Sequence, residues 1–205
     1  MNLRVLPYGD RALLLELPTE AAVLPVRDAV LRLAEPSITA VVPAARTVLV
    51  EFDPGSGTVE QLRRQLIALR VLPADAAPPA MPIELPVRYD GADLVAVADA
   101  VGLAVDELIT LHSGAEYTVL FCGFSPGFGY LTGLPERLRM PRLDAPRRSV
   151  PAGSVAIADG FAGVYPRASP GGWRLLGRTD AVLFDLDRQP PALLAPGTRV
   201  RFRPQ

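Results

Sequence analysis

The chain has 205 residues, 49% of them hydrophobic, and a formal net charge of −1 at neutral pH. This is enough for one large domain or two small ones with a buried core, and a nearly neutral chain has no general attraction to nucleic acid or to an acidic membrane surface. The single cysteine, Cys122, excludes an internal disulfide and fits a reducing compartment.

The amino terminus, MNLRVLPYGD, has no long apolar signal core, and no uncharged apolar run approaches the roughly 18 residues of a membrane span. We therefore expect a cytoplasmic protein. All 21 basic residues are arginine, so chemistry that needs a lysine is excluded. Because there is one histidine and no cysteine pair, we predict no metal site built on those ligands.

The first 72 residues are predicted to form a small α+β domain of order ββαββα. One helix is predicted from Thr19 to Ala34, and another begins at Thr58, with Gln61 in a capping-box position. The predicted strands are LRVLP, ALLLEL, ITAVVP and TVLVEF.

Residues 73–82 are rich in proline and alanine and are predicted to be a semi-rigid linker. In residues 83–205, two short helices, 93–100 and 105–112, precede short strands separated by Gly and Pro, which is typical of a closed or partly closed β structure. The predicted strands are IELPV, EYTVLFC, SVAIA, AGVYP, WRLLGRT, AVLFDL and TRVRF.

The segment GFSPGFGYL, residues 123–131, combines three glycines and a proline with two phenylalanines and a tyrosine. Glycine permits unusual backbone angles, proline removes a hydrogen-bond donor, and aromatic rings favour burial or a flat partner. This mixture predicts a shaped loop that lines a cavity and not a regular element.

Two kinds of residue could act on an anion or move a proton. Arg142 and Arg147 follow prolines in RLRMPRLDAPRR, and arginine binds carboxylate or phosphate through a fork of donors, although such a run can also be a solvated loop. His112 is a candidate general acid or base. It could equally be a helix-end residue that satisfies carbonyl groups.

Two glycine-containing turns add candidate binding groups. Ser154 follows a glycine, and Ser169 precedes the pair Gly171-Gly172 and Trp173. Paired glycines can present successive N–H groups to an anion, although most such pairs are ordinary turns. Neither Ser154 nor Ser169 lies in a G-x-S-x-G segment and the chain has one histidine, so no serine-hydrolase triad is predicted.

The order of these motifs closely resembles the family of the B-type subunit of bacterial ATP-dependent 5-oxoprolinase, also labelled allophanate hydrolase subunit 1 or KipI-like and related to carboxyltransferase subdomains C and D. The likeness covers residues 82–204, and residues 1–72 match more loosely. FAGVYP stands where the family often has QTGIYP, and Thr132 where it commonly has glycine. The matching motifs are HSGAEY, GFSPGFGYL, MPR, PRRSVPAGSVAIA, GVYP, SPGGW, LLGRT, LFD and LLAPGTRVRF.

This resemblance implies an α+β N-terminal domain followed by a mainly-β cyclophilin-like barrel domain. It implies a hydrolase subunit that works with a homologous C-type subunit and with an A-type subunit. Together such subunits cleave 5-oxo-L-proline to L-glutamate and ATP to ADP and phosphate. ATP, with Mg²⁺, is the expected co-substrate, and its site could lie on a partner.

For that reaction we predict that His112 transfers a proton and that Arg142 and Arg147 stabilise developing charge. The remaining predicted substrate- or nucleotide-binding residues are Phe124, Phe128, Tyr130, Ser154, Tyr165, Ser169, Gly171, Gly172, Trp173 and Arg178.

Three other functions compete with this one. Relatives of the KipI type inhibit a sensor histidine kinase by binding its dimerisation helices. A subunit of an allophanate or other amide hydrolase is a second alternative. Prolyl isomerase activity is suggested only by the barrel fold, which is a poor guide to function.

Overall fold

The computed structural model describes residues 3–71 and 81–205, and the chain divides into two compact units, Met1–Pro79 and Ala80–Gln205. The predicted linker lies almost wholly outside the described residues, so its limits stay a prediction. In the part of the chain that is described, no helix is both long and apolar enough to cross a membrane.

The first unit contains a four-stranded antiparallel sheet of order β1-β2-β4-β3. Leu13 and Leu15 of β2 lie opposite Val50 and Val48 of β4, and all four are buried. The predicted order ββαββα is confirmed. The elements are β1 Arg4–Pro7, β2 Ala12–Glu16, α1 Val23–Arg32, β3 Ile38–Pro43, β4 Thr47–Phe52 and α2 Val59–Ile67.

Helix α1 is shorter than the predicted span. A 3-10 turn, Glu20–Ala22, precedes it, and the backbone at Ala34 is left-handed, with φ of 48°. Pro25 lies in the first turn, where backbone N–H groups have no acceptor within the helix, so its missing N–H costs no hydrogen bond. Val26 and Val30 share the buried face, which fixes the helix against the sheet.

The Thr58 cap of α2 predicts a measurable stability effect. Its hydroxyl oxygen accepts a hydrogen bond from the backbone N–H of Gln61 at 3.3 Å. Thr58→Ala is expected to lower the free energy of unfolding by about 1 kcal/mol, because the helix loses one of its end partners. Urea unfolding measures this, with Thr58→Ser as the control that keeps the hydroxyl. Equal losses in both variants would show that the methyl group, and not the cap, stabilises the helix.

The second unit contains a seven-stranded sheet of order β12-β9-β10-β7-β6-β13-β5 and a separate two-stranded sheet, β11-β8. Its helices are α3 Leu94–Val101 and α4 Val105–Gly114. Its strands are β5 Ile83–Val87, β6 Tyr117–Cys122, β7 Gly129–Thr132, β8 Arg147–Val150, β9 Ser154–Ala158, β10 Phe161–Val164, β11 Ser169–Gly171, β12 Arg174–Arg178 and β13 Arg199–Pro204.

The two edges of the seven-stranded sheet meet at one bridge. Arg88, directly after β5, and Arg178 of β12 exchange backbone hydrogen bonds of 2.9 and 2.8 Å. A Cβ atom at Gly177 would lie 2.2 Å from the Arg88 carbonyl oxygen, so only glycine permits this approach. The nearly closed sheet agrees with a barrel domain, and its core includes Val87, Leu108, Leu131, Val155, Leu176 and Phe202.

One strand prediction was wrong. Residues 181–186, AVLFDL, form a loop with a single bridge between Phe184 and Ala192. The guanidinium group of Arg188 donates to the carbonyl oxygens of Val182 and Pro191 at 3.1 and 2.9 Å. The carbonyl oxygen of Val182, an acceptor that a ladder would need, is thus taken by a side chain, and the β-like composition does not form a strand.

Two further differences affect the site. The last residues of GFSPGFGYL, from Gly129, already belong to β7, so only its first part is the loop that was predicted. Strands β8 and β11 pair with each other, with Gly171 opposite Arg147, which the sequence did not predict.

Candidate functional site

The loop before β7 turns sharply and directs two phenylalanine rings apart. Phe124 and Gly127 have φ of 64° and 84°, and the N–H of Phe128 donates to the carbonyl oxygen of Ser125 at 3.0 Å. Phe124 is 59% exposed, whereas Phe128 is 2% exposed. The strained, glycine-rich backbone therefore places one ring at the surface and one in the protein.

Phe128 is the centre of an aromatic cluster. Its ring meets those of Tyr130, Tyr165 and Trp173 edge-on, with centroid distances of 5.1, 5.3 and 5.4 Å. Edge-to-face contacts at these distances stabilise a fixed arrangement of rings. The cluster forms a rigid wall, although its members come from three separate segments of the chain.

This wall borders a cavity of about 380 Å³, which we call the aromatic cleft. The prediction that the motif lines a cavity agrees with this geometry. The cleft brings together most of the predicted site residues and adds Asp144, which was not predicted. It is lined by Phe124, Phe128, Tyr130, Arg142, Leu143, Asp144, Pro146, Tyr165, Pro170, Gly171, Gly172 and Trp173.

Charged and phenolic groups also face the aromatic cleft. The guanidinium group of Arg142 lies 3.6 Å from the carboxylate of Asp159, and both side chains are well exposed. Burial raises the pKa of Tyr130, and the charge of Arg142 opposes this rise. The cation and the phenol line the same cavity.

Hydrogen bonds to the main chain hold the arginine-bearing loop, residues 139–146. The N–H of Leu143 donates to the carbonyl oxygen of Gly172 at 2.7 Å, and the N–H of Asp159 donates to that of Met140 at 2.7 Å. Arg174 donates through Nε to the carbonyl oxygen of Pro141 at 3.2 Å. The backbone that carries Arg142 is thus fixed although its side chain is exposed.

The glycine pair serves a different purpose from the one predicted. Neither Gly171 nor Gly172 has a positive φ, so they do not form the predicted anion-binding turn. A Cβ atom at Gly171 would lie 2.2 Å from the hydroxyl oxygen of Tyr165. Glycine is therefore required here because the strand passes directly over that phenol.

A second cavity, of about 540 Å³, holds other predicted residues, and we call it the polar cleft. Arg147, Ser154 and Arg178 lie there, so the structure separates them from Arg142. Arg178 pairs with Asp90 at 2.8 Å on an exposed surface. The cleft is lined by Asp90, Gly91, Ala92, Arg147, Ser149, Pro151, Ala152, Ser154, Leu175, Gly177, Arg178, Thr179 and Asp180.

Arg147 connects three elements through its guanidinium group. It donates to the Asp93 carboxylate at 2.6 Å and to the carbonyl oxygen of Trp173 at 3.3 Å. The other carboxylate oxygen of Asp93 accepts the N–H of Leu175 at 2.7 Å. Because Asp93 is 8% exposed, this is a largely buried ion pair, and Arg147 supports the wall that carries Trp173.

The two predicted serines bond to nearby backbone. The Ser154 hydroxyl donates to the carbonyl oxygen of Pro151 at 2.8 Å, and the Ser169 hydroxyl donates to that of Arg167 at 3.5 Å. Ser169 lines neither cleft. These bonds give both hydroxyls local structural partners.

His112 lies in the core, apart from both clefts. It is fully buried in α4, its Nδ1 lies 2.8 Å from the hydroxyl oxygen of Tyr89, and its ring stacks on Phe202 at 4.7 Å. Burial lowers its pKa to about 3, which keeps it neutral at physiological pH. This geometry supports a packing role and gives no support to proton transfer to a ligand in either cleft.

The alternative role predicted for His112 also differs from the structure: its Nδ1 faces the hydroxyl of Tyr89 and its Nε2 has no hydrogen-bond partner among the described residues, so the ring satisfies no helix-end carbonyl group. Sequence reasoning missed Asp93 and Asp144. Each follows a turn-like segment, but only the fold shows that Asp93 pairs with Arg147 and that Asp144 lines the aromatic cleft. In the part of the chain that is described, no three His, Cys, Asp or Glu side chains are arranged to hold a metal ion.

Residues 3–194 match a family described as carboxyltransferase domain, subdomain C and D. The B subunit of the 5-oxoprolinase of Escherichia coli O157:H7 is 54% identical over 126 residues, 60% of this chain and 58% of the relative. That of Bacillus subtilis (strain 168) is 46% identical over 123 residues, 58% of this chain and 51% of the relative. The chain thus matches little more than half the length of these curated relatives.

Solved structures share the architecture. The crystal structure of TTHA0988 has a TM-score of 0.82 and 38% identity, covering 95% of this chain and 40% of its own. The conserved uncharacterized protein PH0987 from Pyrococcus horikoshii has a TM-score of 0.59 and 35% identity, covering 98% and 97%. The Kluyveromyces lactis urea carboxylase, at 22% identity and a TM-score of 0.69 over 99% of this chain and 22% of its own, shares the fold.

Proposed function

We propose, from the premise that this chain belongs to the carboxyltransferase domain, subdomain C and D family, that it is the B-type subunit of an ATP-dependent 5-oxoprolinase. The family predicted from the motifs is confirmed by the curated relatives of that name. In this proposal the assembled complex, located in the cytoplasm, hydrolyses 5-oxo-L-proline to L-glutamate and cleaves ATP to ADP and phosphate.

The observation that carries this proposal is the aromatic cleft. 5-Oxo-L-proline is a small, nearly flat lactam with one carboxylate, one ring N–H and one carbonyl oxygen. The cleft, at about 380 Å³, is near the lower end of the roughly 300–1,000 Å³ of small-ligand sites. Its rings offer flat surfaces, Arg142 is a partner for the carboxylate, and Asp144 can accept from the ring N–H.

The groups around the cleft also suit the chemistry. A lactam is stabilised by resonance, and phosphorylation of its oxygen makes the ring carbon electrophilic. Negative charge then has to be balanced near that oxygen, which preorganised donors do best. We assign to Arg142 the positioning of the carboxylate and to the phenols the polar contacts. Arg147 and Arg178 are engaged with Asp93 and Asp90 in the polar cleft.

The described residues do not fit a triphosphate group. The chain has no lysine, the Gly171-Gly172 pair lacks the turn that would present successive N–H groups, and both arginines of the polar cleft are paired with carboxylates. We therefore propose that ATP and its Mg²⁺ are held by a partner, either the homologous C-type subunit or the A-type subunit. This chain then supplies the pocket for the lactam.

Reconstitution tests the proposal. The full chain is combined with its candidate C-type and A-type subunits, and ADP release is followed with and without 5-oxo-L-proline while each component is omitted in turn. We expect lactam-dependent ADP release that disappears without this chain. ADP release from an intact complex that does not depend on 5-oxo-L-proline would contradict the proposal. It would favour another amide as substrate, or the kinase-binding role.

Arg142→Gln in the same complex is expected to raise the KM for 5-oxo-L-proline about tenfold with a smaller change in kcat, because a charge-assisted bond made in both ground and transition states is lost. Arg139→Gln is the matched control, since Arg139 is exposed in the same segment and does not line the cleft. Equal KM values for both variants would contradict the role of Arg142.

A further inference from the structure

Tyr165 belongs to the aromatic wall of the cleft and is held in place on several sides. The residue is 2% exposed, and its ring contacts Phe128 and Phe124 edge-on at 5.3 and 6.2 Å. The strand that carries Gly171 passes directly over its hydroxyl oxygen. The phenol therefore has one position, set by packing.

The hydroxyl of Tyr165 has an acceptor role already filled and a donor role open. The backbone N–H of Trp173 hydrogen-bonds its oxygen, which opposes the rise in pKa that burial causes. A phenol is both a donor and an acceptor. Among the described residues no acceptor receives its proton, so the O–H is left to donate to a molecule in the cleft.

The neighbouring phenol is placed differently. The ring of Tyr130 stacks on Phe121, with a centroid distance of 4.2 Å and an angle of 15° between the planes. Its hydroxyl lies near the guanidinium group of Arg142, which lowers its pKa against the effect of burial. The cleft thus has a cationic side at Arg142 and a neutral donor at Tyr165.

We propose that the hydroxyl of Tyr165 donates a hydrogen bond to the carbonyl oxygen of a lactam bound in the aromatic cleft, and so selects lactams over cyclic amines of the same shape. The inference rests on the proposed function, because it names the residue that recognises the carbonyl oxygen of the substrate. A site built to hydrogen-bond a particular group rejects analogues that lack it, since its own polar group is then left unpaired. Gly171 is the positioning residue, because any side chain there displaces the phenol.

The single tryptophan of the chain, Trp173, lines the cleft, so its fluorescence is used to follow binding. The full chain is titrated with 5-oxo-L-proline, with 2-pyrrolidinone and with L-proline, which keeps the ring and carboxylate but lacks the lactam oxygen. Tyr165→Phe is expected to weaken binding of both lactams about tenfold and to leave L-proline binding unchanged. Tyr117→Phe is the matched control, since it removes a phenol that bonds to His112 in the core.

Each outcome separates this inference from the proposed function. The donor role is overturned if Tyr165→Phe binds lactams with the same affinity as the wild-type chain. It is also overturned if the substitution weakens the binding of lactams and of L-proline equally. Absence of any lactam binding to the wild-type chain overturns both. Lactam binding that depends on Tyr165, in a chain whose assembled complex does not hydrolyse 5-oxo-L-proline, supports the donor role and overturns only the proposed function.

Discussion

His112→Ala is expected to lower the free energy of unfolding by about 3 to 5 kcal/mol, the range seen when a large buried side chain is removed. The ring is fully buried, stacks on Phe202 and lies 2.8 Å from the hydroxyl oxygen of Tyr89. The substitution leaves a cavity and a buried phenol without its partner. Urea unfolding of the full chain measures the loss.

Two controls separate packing from catalysis. Tyr89→Phe removes only the hydrogen bond and is expected to cost about 1 kcal/mol. Any complex assembled with folded His112→Ala chain is expected to retain turnover, because His112 lines neither cleft. If His112→Ala keeps its stability but abolishes turnover, the role of His112 in proton transfer would be supported instead.

The same residue makes stability depend on pH. Burial lowers the pKa of His112 to about 3, whereas in the unfolded chain it is near 6.5. Between these values the unfolded chain holds the extra proton, so the folded state loses stability as the pH falls below 6.5 and is unaffected by this group above it. From pH 6.5 to 5, where carboxylates change little, wild type is expected to lose about 1 kcal/mol per pH unit more than His112→Leu.

Asp93→Ala is expected to cost about 2 to 3 kcal/mol of unfolding free energy, somewhat less than for a fully buried pair because the Arg147 side chain is partly exposed. The change leaves the guanidinium group of Arg147 without its carboxylate and the N–H of Leu175 without its acceptor. Urea unfolding of the variant measures the effect.

The chain offers a matched comparison for Asp93. Asp90→Ala breaks the pair with Arg178, which is of similar length but exposed, and is expected to cost less than about 1 kcal/mol. Adding Arg147→Met to Asp93→Ala should restore part of the loss, because the uncompensated charge is removed. Similar small effects at Asp93 and Asp90 would show that the Arg147 pair is not a structural support.

Local patterns in the sequence predicted much of the fold. The β-branched segments ITAVVP and TVLVEF form paired strands, and the Thr58 cap begins a helix. AVLFDL does not form a strand, because Arg188 binds the carbonyl oxygen of Val182, a competition that composition does not reveal. Propensity therefore gave the right element for the strongly β-branched segments, but it did not predict β7, β8 or β11.

The sequence predicted the residue types of the candidate site but not their separation into two clefts. The rings of GFSPGFGYL line a cavity as expected. Pro146 and Arg147 are adjacent, yet they line different clefts, at the point where the loop of residues 139–146 enters β8. The pairing of Arg147 with Asp93 joins residues 54 positions apart, and that distance is beyond any local pattern.

Strand β13 lies between β6 and β5 in the seven-stranded sheet, antiparallel to one and parallel to the other. Phe202 therefore reaches Leu85, its neighbour in the sheet, only after residues 199–204 have been synthesised. A nascent chain on the ribosome must carry the apolar residues of β5 without their main partner until then, and such exposed strands favour aggregation. Pairing of β5 within the sheet thus waits for translation of β13, far along the chain from it.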